Sequence, residues 1–366
     1  MSSDHSNKII IASAGSRKTT YIVNEGLLSK DENILILTYT IDNINQIRRY
    51  IIQQVGFIPS NITIQSWYSF LLQDCVRPYQ NFIYEDKRIE TVFFPDDLHT
   101  FKRNRRYIKK ANIKNYFLVG GNCIINEHIS EFACICNEES NGKVISRLEE
   151  IYSKVFIDEV QDISGYDFDL IELLLKSRIN CHFVGDCRQA TYFTTCSPKY
   201  KKFKGHSIIN LFKAWEREGL CSITERNDCY RSNQSICDFA DKLYPNLNKT
   251  TSFNTEQSEH KGVFIVKTEH VKTYIDIHKP IVLRHSKSSD TLGFGGHNFG
   301  TTKGQTFERV IIFPTDTIRK YLKTADGNPV PDNSRAKLYV AITRARTSVA
   351  FVYDGDSKFD ELKKYE

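Results

Sequence analysis

Apolar stretches without polar alternation recur along the whole chain, and each ends at a polar or glycine-containing loop. Strands of a parallel sheet that is covered on both faces have this continuous apolar pattern. The pattern therefore predicts an α/β protein built on parallel sheets. The stretches that carry the predicted strands are Ile9–Ile11, Asn33–Thr40, Ile62–Leu72, Lys154–Asp162, Ile179–Asp186, Gly262–Lys267, Pro280–Arg284, Thr302–Phe313 and Ser348–Tyr353.

Segments with apolar residues at helical spacing separate these strands. Asp42–Val55 has Ile44, Ile47, Ile51 and Val55 on one predicted helical face. The other predicted helices are Tyr21–Leu28, a segment that contains Ile236, Phe239, Ala240 and Leu243, and Ala336–Arg346, which would place Arg344 and Arg346 at its end.

Length and composition narrow the class of protein. A chain of 366 residues suggests two or three domains, and no apolar run approaches the ~18 residues that span a bilayer. The first residues are polar and do not resemble a secretory signal. Ten scattered cysteines without a C-x-x-C pair fit a reducing compartment, so we expect a cytoplasmic protein without a membrane segment. The net charge of +6 permits binding to nucleic acid.

One group of cysteines has residue types that bind metals. Cys123, Cys134 and Cys136 lie near one another in the sequence, and the preferred interpretation is that they are buried or surface thiols. The alternative is a zinc site, which would need His128 as a fourth ligand.

The stretch Ile9–Thr20 has the layout of a phosphate-binding P-loop: a strand, a loop of small residues, Lys-Thr and a helix. It departs from the usual pattern because Ala12 stands at the first glycine and Arg17 at the second. The alternative is a plain strand–turn–helix with a surface lysine.

Two more strands end in residues suited to nucleotide chemistry. Asp158 and Glu159 follow an apolar strand, where a P-loop enzyme holds Mg²⁺ and orients the attacking water. An acidic helix N-terminus is the alternative there. Gln189 follows the strand that ends in Gly185-Asp186 and is placed to sense a γ phosphate, although a simple turn has the same composition.

Basic residues with interspersed aromatic residues cluster between positions 101 and 116, and this composition suits binding to a phosphate backbone and to unstacked bases. A solvated helix face explains them equally well. The residues are Phe101, Lys102, Arg103, Arg105, Arg106, Tyr107, Lys109, Lys110, Lys114 and Tyr116.

Eight stretches, in order and spanning nearly the whole chain, resemble the motifs of superfamily 1 helicases of the UvrD, Rep and PcrA type. The motif II, IV and VI stretches are the most specific. In motif order from I through Ia, the T-x-H-S-F segment, II, III, IV, V and VI, they are Ala12–Thr20, Thr38–Thr40, Thr63–Trp67, Asp158–Asp162, Gly185–Tyr192, Tyr230–Ser232, Lys303–Phe307 and Tyr339–Arg346.

The resemblance implies roles for individual residues in a site where ATP is hydrolysed between two RecA-like domains. The implied catalytic residues are Lys18, Asp158, Glu159, Gln189, Arg231 and Arg344, with Thr19 and Asp158 on Mg²⁺. The implied nucleotide-binding residues are Ala14, Gly15, Ser16, Arg17, Lys18, Thr19, Thr20 and Tyr230. The implied DNA-binding residues are Thr38, Tyr39, Thr40, Ser66, Trp67, Tyr192, Thr302 and Lys303.

The same resemblance divides the chain. Residues 1–85 and 151–221 would form RecA-like domain 1A, residues 86–150 a small basic 1B-like insertion, and residues 222–366 RecA-like domain 2A. The large 2B insertion has no counterpart. Arg17, Thr194 and Thr306 depart from the family pattern at the P-loop, at a base-stacking aromatic and at a ribose-contacting glutamate.

Two functions from different classes follow. The first is an ATP-dependent translocase or helicase that moves 3′ to 5′ on single-stranded DNA or a tailed duplex. A compact form without 2B would need a protein partner such as a nuclease, and Gabija-type anti-phage operons offer an analogy. The second, favoured by Arg17, is a nucleotide- or DNA-sensing subunit with weak or no ATPase activity. A metabolic P-loop kinase would leave the Tyr339–Arg346 stretch unexplained.

Overall fold

A computed structural model describes residues 7–326 and 330–365 of the chain. Two six-stranded sheets dominate it. In chain order the strands are β1 Lys8–Ala12, β2 Ile34–Thr38, β3 Ile62–Ser66, β4 Thr91–Phe93, β5 Leu118–Val119, β6 Cys123–Ile125, β7 Lys154–Asp158, β8 Asn180–Gly185, β9 Ser222–Arg226, β10 Asp228–Cys229, β11 Thr251–Ser252, β12 Gly262–Val266, β13 Ile281–Arg284, β14 His297–Asn298, β15 Phe307–Phe313, β16 Ala345–Val352 and β17 Lys363–Tyr365.

Helices connect most of the strands, and the third continues into a π-helical turn over Leu71–Val76. The helices are α1 Lys18–Leu28, α2 Ile41–Val55, α3 Trp67–Phe70, α4 Leu98–Arg105, α5 Ile113–Phe117, α6 Ile129–Glu139, α7 Lys143–Ile151, α8 Asp167–Leu175, α9 Ile208–Arg217, α10 Gln234–Asp241, α11 Val271–His278, α12 Asp316–Thr324 and α13 Asp332–Ile342.

The chain divides into two compact units. Among the described residues, the first unit comprises 7–10, 19–185 and 193–224, and the second comprises 11–18, 186–192, 225–326 and 330–365. The domain boundaries that the resemblance implies, including the basic insertion at 86–150, remain a prediction.

The first six-stranded sheet has the order β3-β2-β7-β8-β1-β9. Strand β2 pairs in parallel with β3 and β7, and β7 pairs in parallel with β8. All five residues of β2 are buried, which is why its sequence has no polar alternation. Because the strands are parallel, their carboxyl ends meet at one edge, where Thr38 lies opposite Ser66.

The second six-stranded sheet has the order β14-β13-β15-β16-β12-β17, and its assigned pairs are all parallel. Neighbouring residues of one strand enter different cores: Val310 and Ile312 pack in one, and Ile311 and Phe313 in the other. Side chains alternate between the faces of a strand, so both faces of this sheet are covered.

The predicted fold class, α/β with parallel sheets flanked by helices, is confirmed. The predicted helix over Asp42–Val55 is confirmed as α2 and begins one residue earlier. The prediction that Ala336–Arg346 is helical was wrong at its end. Helix α13 ends at Ile342, and Arg346 lies in β16, because the ladder with β15 already starts at Ala345 opposite Phe307.

The described residues contain neither a membrane-spanning helix nor a cluster of metal-binding side chains. None of their helices is long and apolar enough to cross a membrane. No group of three or more His, Cys, Asp or Glu side chains among them is arranged to hold a metal, so the zinc site considered for Cys123, His128, Cys134 and Cys136 was wrong. The thiols of Cys134 and Cys136 are instead largely enclosed, and burial raises their pKa well above the ordinary value.

Candidate nucleotide site and nucleic-acid interface

The loop between β1 and α1 is held by backbone hydrogen bonds within the second unit. Ser13 N donates to the carbonyl of Arg226 at 2.9 Å, and Tyr230 N donates to the carbonyl of Gly15 at 2.9 Å. The ammonium of Lys18 donates to the carbonyl of Ser13 at 3.2 Å, so it folds back over the loop. The sequence-predicted P-loop and the predicted motif IV segment are therefore in direct contact.

Gly15 has no room for a side chain. Its φ is +76°, and a Cβ atom there would lie 2.8 Å from Arg231 Cβ and 2.9 Å from Cys229 Sγ. The loop thus requires glycine at this position both for backbone conformation and for space. Ala14, the residue before it, is buried in the core of the second unit.

Arg17 occupies the position where the family pattern has glycine, and its φ is +59°. This left-handed conformation suits glycine and costs a non-glycine residue about 1 kcal/mol or more. The Arg17 guanidinium carbon lies 4.0 Å from the centroid of the Tyr230 ring. Tyr230 also stacks on Phe253, with ring centroids 5.4 Å apart and planes inclined by 23°. The arginine therefore has a defined partner in the residue implied to stack on the nucleotide base.

The hydroxyl of Ser16 is buried and, within the described residues, has no hydrogen-bond partner. Buried polar atoms in proteins are normally satisfied, so an unsatisfied hydroxyl beside the start of a helix suits an anionic ligand. The first turn of α1, which begins at Lys18, contains no acidic residue that would repel phosphate. Thr20 lies half-buried in that turn.

Two residues implied to hold Mg²⁺ are hydrogen bonded to each other in the first unit. Thr19 Oγ1 donates to Asp158 Oδ2 at 3.0 Å, and Asp158 is only 2% exposed. A hydroxyl and a carboxylate are oxygen ligands of the kind that Mg²⁺ prefers. The donor set at this position therefore fits the ion.

Glu159 adopts a left-handed backbone conformation with φ +58° directly after β7. Its carboxylate accepts a hydrogen bond from Gln161 Nε2, and its own N–H donates to Asp158 Oδ1 at 3.0 Å. A Cβ atom on Gly185 would lie 2.3 Å from Gln161 Oε1, so that glycine allows β8 to pack against the segment. Strained non-glycine residues often mark functional positions, and Arg17 and Glu159 both lie at predicted ones.

Gln189 and Arg344 are in contact within the second unit. Arg344 Nη2 donates to Gln189 Oε1 at 3.0 Å, and the arginine is 1% exposed. Its other nitrogens donate to the carbonyls of Val340 and Gln305, each at 3.2 Å. Gln189 Nε2 in turn donates to Asp186 Oδ2 at 2.8 Å.

Arg231, the other implied catalytic arginine, is held beside the segment that contains Arg344. Its Nη1 donates to the carbonyl of Thr343 at 3.1 Å, and the hydroxyl of Ser232 donates to the carbonyl of Ala345 at 2.7 Å. The structure thus brings the predicted motif IV and VI residues together.

More than half of the chain matches the model of one protein family. The family described as the viral superfamily 1 RNA helicase core domain matches residues 136–353, which is more than half of the chain. The chain belongs to this family. The superfamily 1 part of the sequence-based resemblance is thereby confirmed.

Individual relatives of this helicase core are distant. It is 26% identical over 152 residues to one subunit of the ATP-dependent helicase/nuclease of Limosilactobacillus fermentum, a match that covers 40% of the chain and 11% of that protein. The chain therefore spans about a tenth of this curated relative.

Among solved structures, the PRRSV helicase has a TM-score of 0.44 and 16% identity, over 95% of this chain and 52% of that one. Arterivirus nonstructural protein 10, also a helicase, has a TM-score of 0.47 and 15% identity, over 97% of this chain and 60% of that one. Its complex with DNA has a TM-score of 0.45 and 16% identity, over 98% and 62%. The helicase core spans less than two thirds of each of these chains.

Several residues implied to bind DNA lie at the carboxyl edge of β2 and β3. Thr40 caps α2 by accepting a hydrogen bond from Asn43 N, and Ser66 caps α3 by accepting one from Ser69 N, each at 3.1 Å. Thr38 is buried and its hydroxyl accepts a hydrogen bond from Asn43. Helix capping is thus a structural reason for Thr40 and Ser66 at this edge of the first sheet.

Trp67 was implied to bind DNA, and its burial contradicts that prediction. The side chain is 0% exposed, and its indole nitrogen donates to Asp167 Oδ1 at 2.9 Å. Asp167 also accepts hydrogen bonds from Ser130 and Thr194. Burial raises the pKa of Asp167 despite these donors. The tryptophan has no surface for a base because it packs inside the first unit.

The remaining residues implied to bind DNA differ in exposure. Tyr192 is exposed, and Tyr39 and Lys303 are partly exposed. Thr302 is buried, and its hydroxyl donates to the carbonyl of Phe299 at 2.7 Å. Only the first three present side-chain surface to a ligand. Thr194, which stands where the sequence resemblance implies a base-stacking aromatic residue, is buried in the hydrogen-bond network of Asp167.

Part of the basic cluster is neutralised by acidic residues of the first unit. Lys102 pairs with Glu127 at 2.5 Å, Lys110 with Glu131 at 2.8 Å and Lys114 with Asp86 at 3.4 Å. Burial alone would raise the pKa of Glu131, but hydrogen bonds from His128, Lys110 and Tyr166 lower it to about 2. Lys102 and Lys110 therefore pair with buried carboxylates, whereas Lys114 pairs with an exposed one.

The other cations of the cluster are more open to solvent. Arg103, Arg106 and Lys109 are exposed, and none of the described acidic residues forms an ion pair with them. Arg106 lies over the ring of exposed Tyr107 at 4.5 Å. The neighbouring Arg105 instead donates to the carbonyls of Asn115 and Leu118. The surface available to a polyanion is therefore smaller than the sequence suggests.

Sequence reasoning missed several residues around the predicted site. It assigned no role to Arg188, Asp241 or Phe253, although Arg188 lies within the predicted motif III. A charged residue between Cys187 and Gln189 is a local signal, whereas nothing local marks Phe253 as a partner of Tyr230.

Proposed function

We propose that this helicase core is an ATP-driven translocase or helicase that moves 3′ to 5′ along single-stranded DNA. The hydrogen bond between Thr19 and Asp158 carries the proposal, because it joins the hydroxyl of the P-loop helix α1 to the carboxylate at the end of β7. That pairing is the one a Mg²⁺-nucleotide site requires. Membership of a superfamily 1 helicase family supports the same reading.

The phosphate groups would be bound by the P-loop and α1. Lys18 is positioned to exchange the carbonyl of Ser13 for phosphate oxygens, and the unsatisfied hydroxyl of Ser16 would gain a partner. Thr19 and Asp158 would hold Mg²⁺, which neutralises charge on the phosphates when it is bound. Glu159 would orient the attacking water.

Charge that develops on the transferred phosphoryl group would be met by Gln189, Arg231 and Arg344. Cations and donors fixed before the reaction stabilise such charge without reorganising during it. Arg344 fits this requirement, since three of its contacts hold the guanidinium in one orientation.

The base would stack on Tyr230. That ring already contacts Arg17 and Phe253, so a base competes with one of them. Arg17 is the more easily displaced, because its side chain is long, exposed and flexible.

A sensing subunit with weak or no ATPase activity is the second candidate. The left-handed backbone of Arg17 and its contact with Tyr230 favour it, because both place a bulky side chain at the base end of the site. A nuclease partner is suggested by the name of the helicase/nuclease relative. An anti-phage role rests on analogy with compact helicases in anti-phage operons alone. The free cysteines suit a reducing compartment, and we place the activity in the cytoplasm.

Duplexes with a 3′ or a 5′ single-stranded tail test the direction and the substrate. The proposal expects ATP-dependent unwinding, or displacement of a streptavidin block on a single strand, from the 3′ tail only. Matched RNA substrates test the sugar preference. Turnover without any directional displacement on DNA or RNA would reject the translocase and leave an ATPase.

A further inference from the structure

Arg188 and Asp241 form a buried ion pair in the second unit. The pair lies between the residues proposed to bind the phosphate groups of the nucleotide and those proposed to bind its base. Arg188 Nη1 lies 3.2 Å from Asp241 Oδ1, and the two side chains are 4% and 11% exposed. Burial by itself lowers the pKa of Arg188, but Tyr339, Asp186 and Asp241 raise it overall. A buried pair of this kind is strongly sensitive to loss of one partner.

On one side the pair reaches the phosphate-end residues. Arg188 Nε donates to Asp186 Oδ1 at 3.1 Å, and the other oxygen of Asp186 accepts from Gln189 Nε2 at 2.8 Å. Gln189 Oε1 accepts from Arg344 at 3.0 Å. The orientation of the Gln189 amide is therefore set by Asp186, and that of Asp186 by Arg188.

On the other side the pair reaches the base-end residues. Asp241 accepts hydrogen bonds from the backbone N–H of Thr250 at 2.5 Å and from its hydroxyl at 2.9 Å. Thr250 immediately precedes β11, which pairs with β10. Phe253 N then donates to the carbonyl of Cys229 at 2.7 Å, which seats Phe253 against Tyr230.

We infer that Arg188 and Asp241 are positioning residues that couple the base end of the nucleotide site, at Tyr230 and Phe253, to the phosphate end, at Gln189 and Arg344. The links from Arg344 to Thr250 are buried or partly buried hydrogen bonds with a defined donor and acceptor, and the last link is the stack of Phe253 on Tyr230. Such networks transmit changes in orientation because an unsatisfied member is costly. The inference rests on the proposed function of the site, which supplies the two ends.

A double-mutant cycle measures this coupling. Tyr230→Ala, Gln189→Ala and the double variant are compared by the dissociation constant of a fluorescent ATP analogue and by kcat/KM for ATP. Residues that act through one network show effects that fail to multiply. We expect a departure from multiplicativity of at least about threefold in the otherwise native chain. The same cycle in an Asp241→Asn background is expected to be multiplicative.

Three further variants separate positioning from general destabilisation. Glu259→Gln removes an exposed carboxylate of the same unit and should leave the coupling intact. Thr250→Val removes the hydroxyl that donates to Asp241 and accepts from Arg188, but it keeps both charged side chains. It should weaken the coupling, and it covers the case in which Asp241→Asn does not fold. Arg188→Lys keeps the positive charge but can contact only one of the two carboxylates, Asp186 and Asp241. This variant should therefore retain only part of the coupling.

The outcomes are distinct from those that test the proposed function. Multiplicative effects in the native background, or coupling that survives both Asp241→Asn and Thr250→Val, would overturn the inference. A protein that binds the ATP analogue without hydrolysing it would reject the motor, while the binding cycle would still decide the coupling.

Discussion

The guanidinium of Arg17 lies 4.0 Å from the centre of the Tyr230 ring, so the residue that breaks the P-loop pattern contacts the residue proposed to stack on the base. A cation over an exposed aromatic ring contributes about 0.5–1 kcal/mol. A left-handed backbone at a residue with a side chain costs about 1–2 kcal/mol, and a glycine in its place would instead cost about 0.4–1 kcal/mol through the greater flexibility of the unfolded chain. The substitution for glycine therefore has little net effect on folding, and its consequence is expected in nucleotide binding.

Arg17→Gly should lower the KM for ATP by about two- to fivefold, because the base no longer competes with a cation–π contact. Thermal unfolding should change little, since relieved strain and the lost contact offset each other. Steady-state ATPase assays give KM, and Lys30→Gly provides a control in an exposed loop. A raised KM would show that Arg17 contributes a phosphate contact and does not obstruct the base.

Arg344→Ala should reduce kcat by a factor on the order of 10²–10³ with a smaller effect on nucleotide affinity. The physical reason is the loss of a fixed cation that also donates to Gln189 Oε1. Arg346→Ala is the matched control, because Arg346 is half-exposed and pairs with Glu256 at 2.7 Å. Equal losses of kcat in the two variants would argue against the role of Arg344 in stabilising charge on the transferred phosphoryl group.

The basic cluster divides into two sets that should behave differently. Replacing Arg103, Arg106 and Lys109 with alanine should make the affinity for single-stranded DNA less salt-dependent, by up to about two units of the log–log slope. Replacing Lys102, Lys110 and Lys114 should mainly destabilise the fold, because Glu127 and Glu131 would be left buried without the cations of Lys102 and Lys110, whereas the exposed pair of Lys114 with Asp86 contributes little.

Fluorescence anisotropy titrations at several salt concentrations, together with thermal unfolding of both triple variants, make this comparison. An unchanged salt slope in the first variant would identify the cluster as a solvated surface.

Glu131 predicts an acid-dependent loss of stability. Its pKa is about 2 in the folded protein against an ordinary 4.5, so the unfolded state binds the proton first as the pH falls. The stabilisation is complete above pH 4.5 and is lost as the pH falls from 4.5 towards 2. Urea unfolding across this range should show a smaller pH dependence for Glu131→Gln than for the native chain. Identical dependences would place the perturbed carboxylate elsewhere.

Much of the fold could be predicted from the sequence because the strands and helices produce local patterns of apolar residues. The continuous burial of β2 produces an apolar run, and the helical spacing of Ile44, Ile47 and Ile51 matches the buried face of α2. The positions of Thr19 and Asp158 followed from motif order, and the structure places their side chains in contact.

What the sequence did not reveal depends on contacts between distant segments. Trp67 resembled a surface aromatic because nothing near it indicates that Asp167 accepts its indole proton. Lys102 and Lys110 resembled a phosphate-binding surface because their partners, Glu127 and Glu131, lie more than twenty positions away. The stack of Arg17 on Tyr230 joins residues more than two hundred positions apart.

The most direct measurement of the central claim is the ATPase rate of the purified protein with and without single-stranded DNA. The account predicts hydrolysis that DNA stimulates and that Lys18→Ala and Glu159→Gln abolish, with Glu159→Gln still binding ATP and the exposed-site control Lys30→Ala unaffected. Hydrolysis that persists in either site variant would contradict the assigned roles. The absence of hydrolysis in the native protein, with DNA and with RNA, would contradict the motor itself.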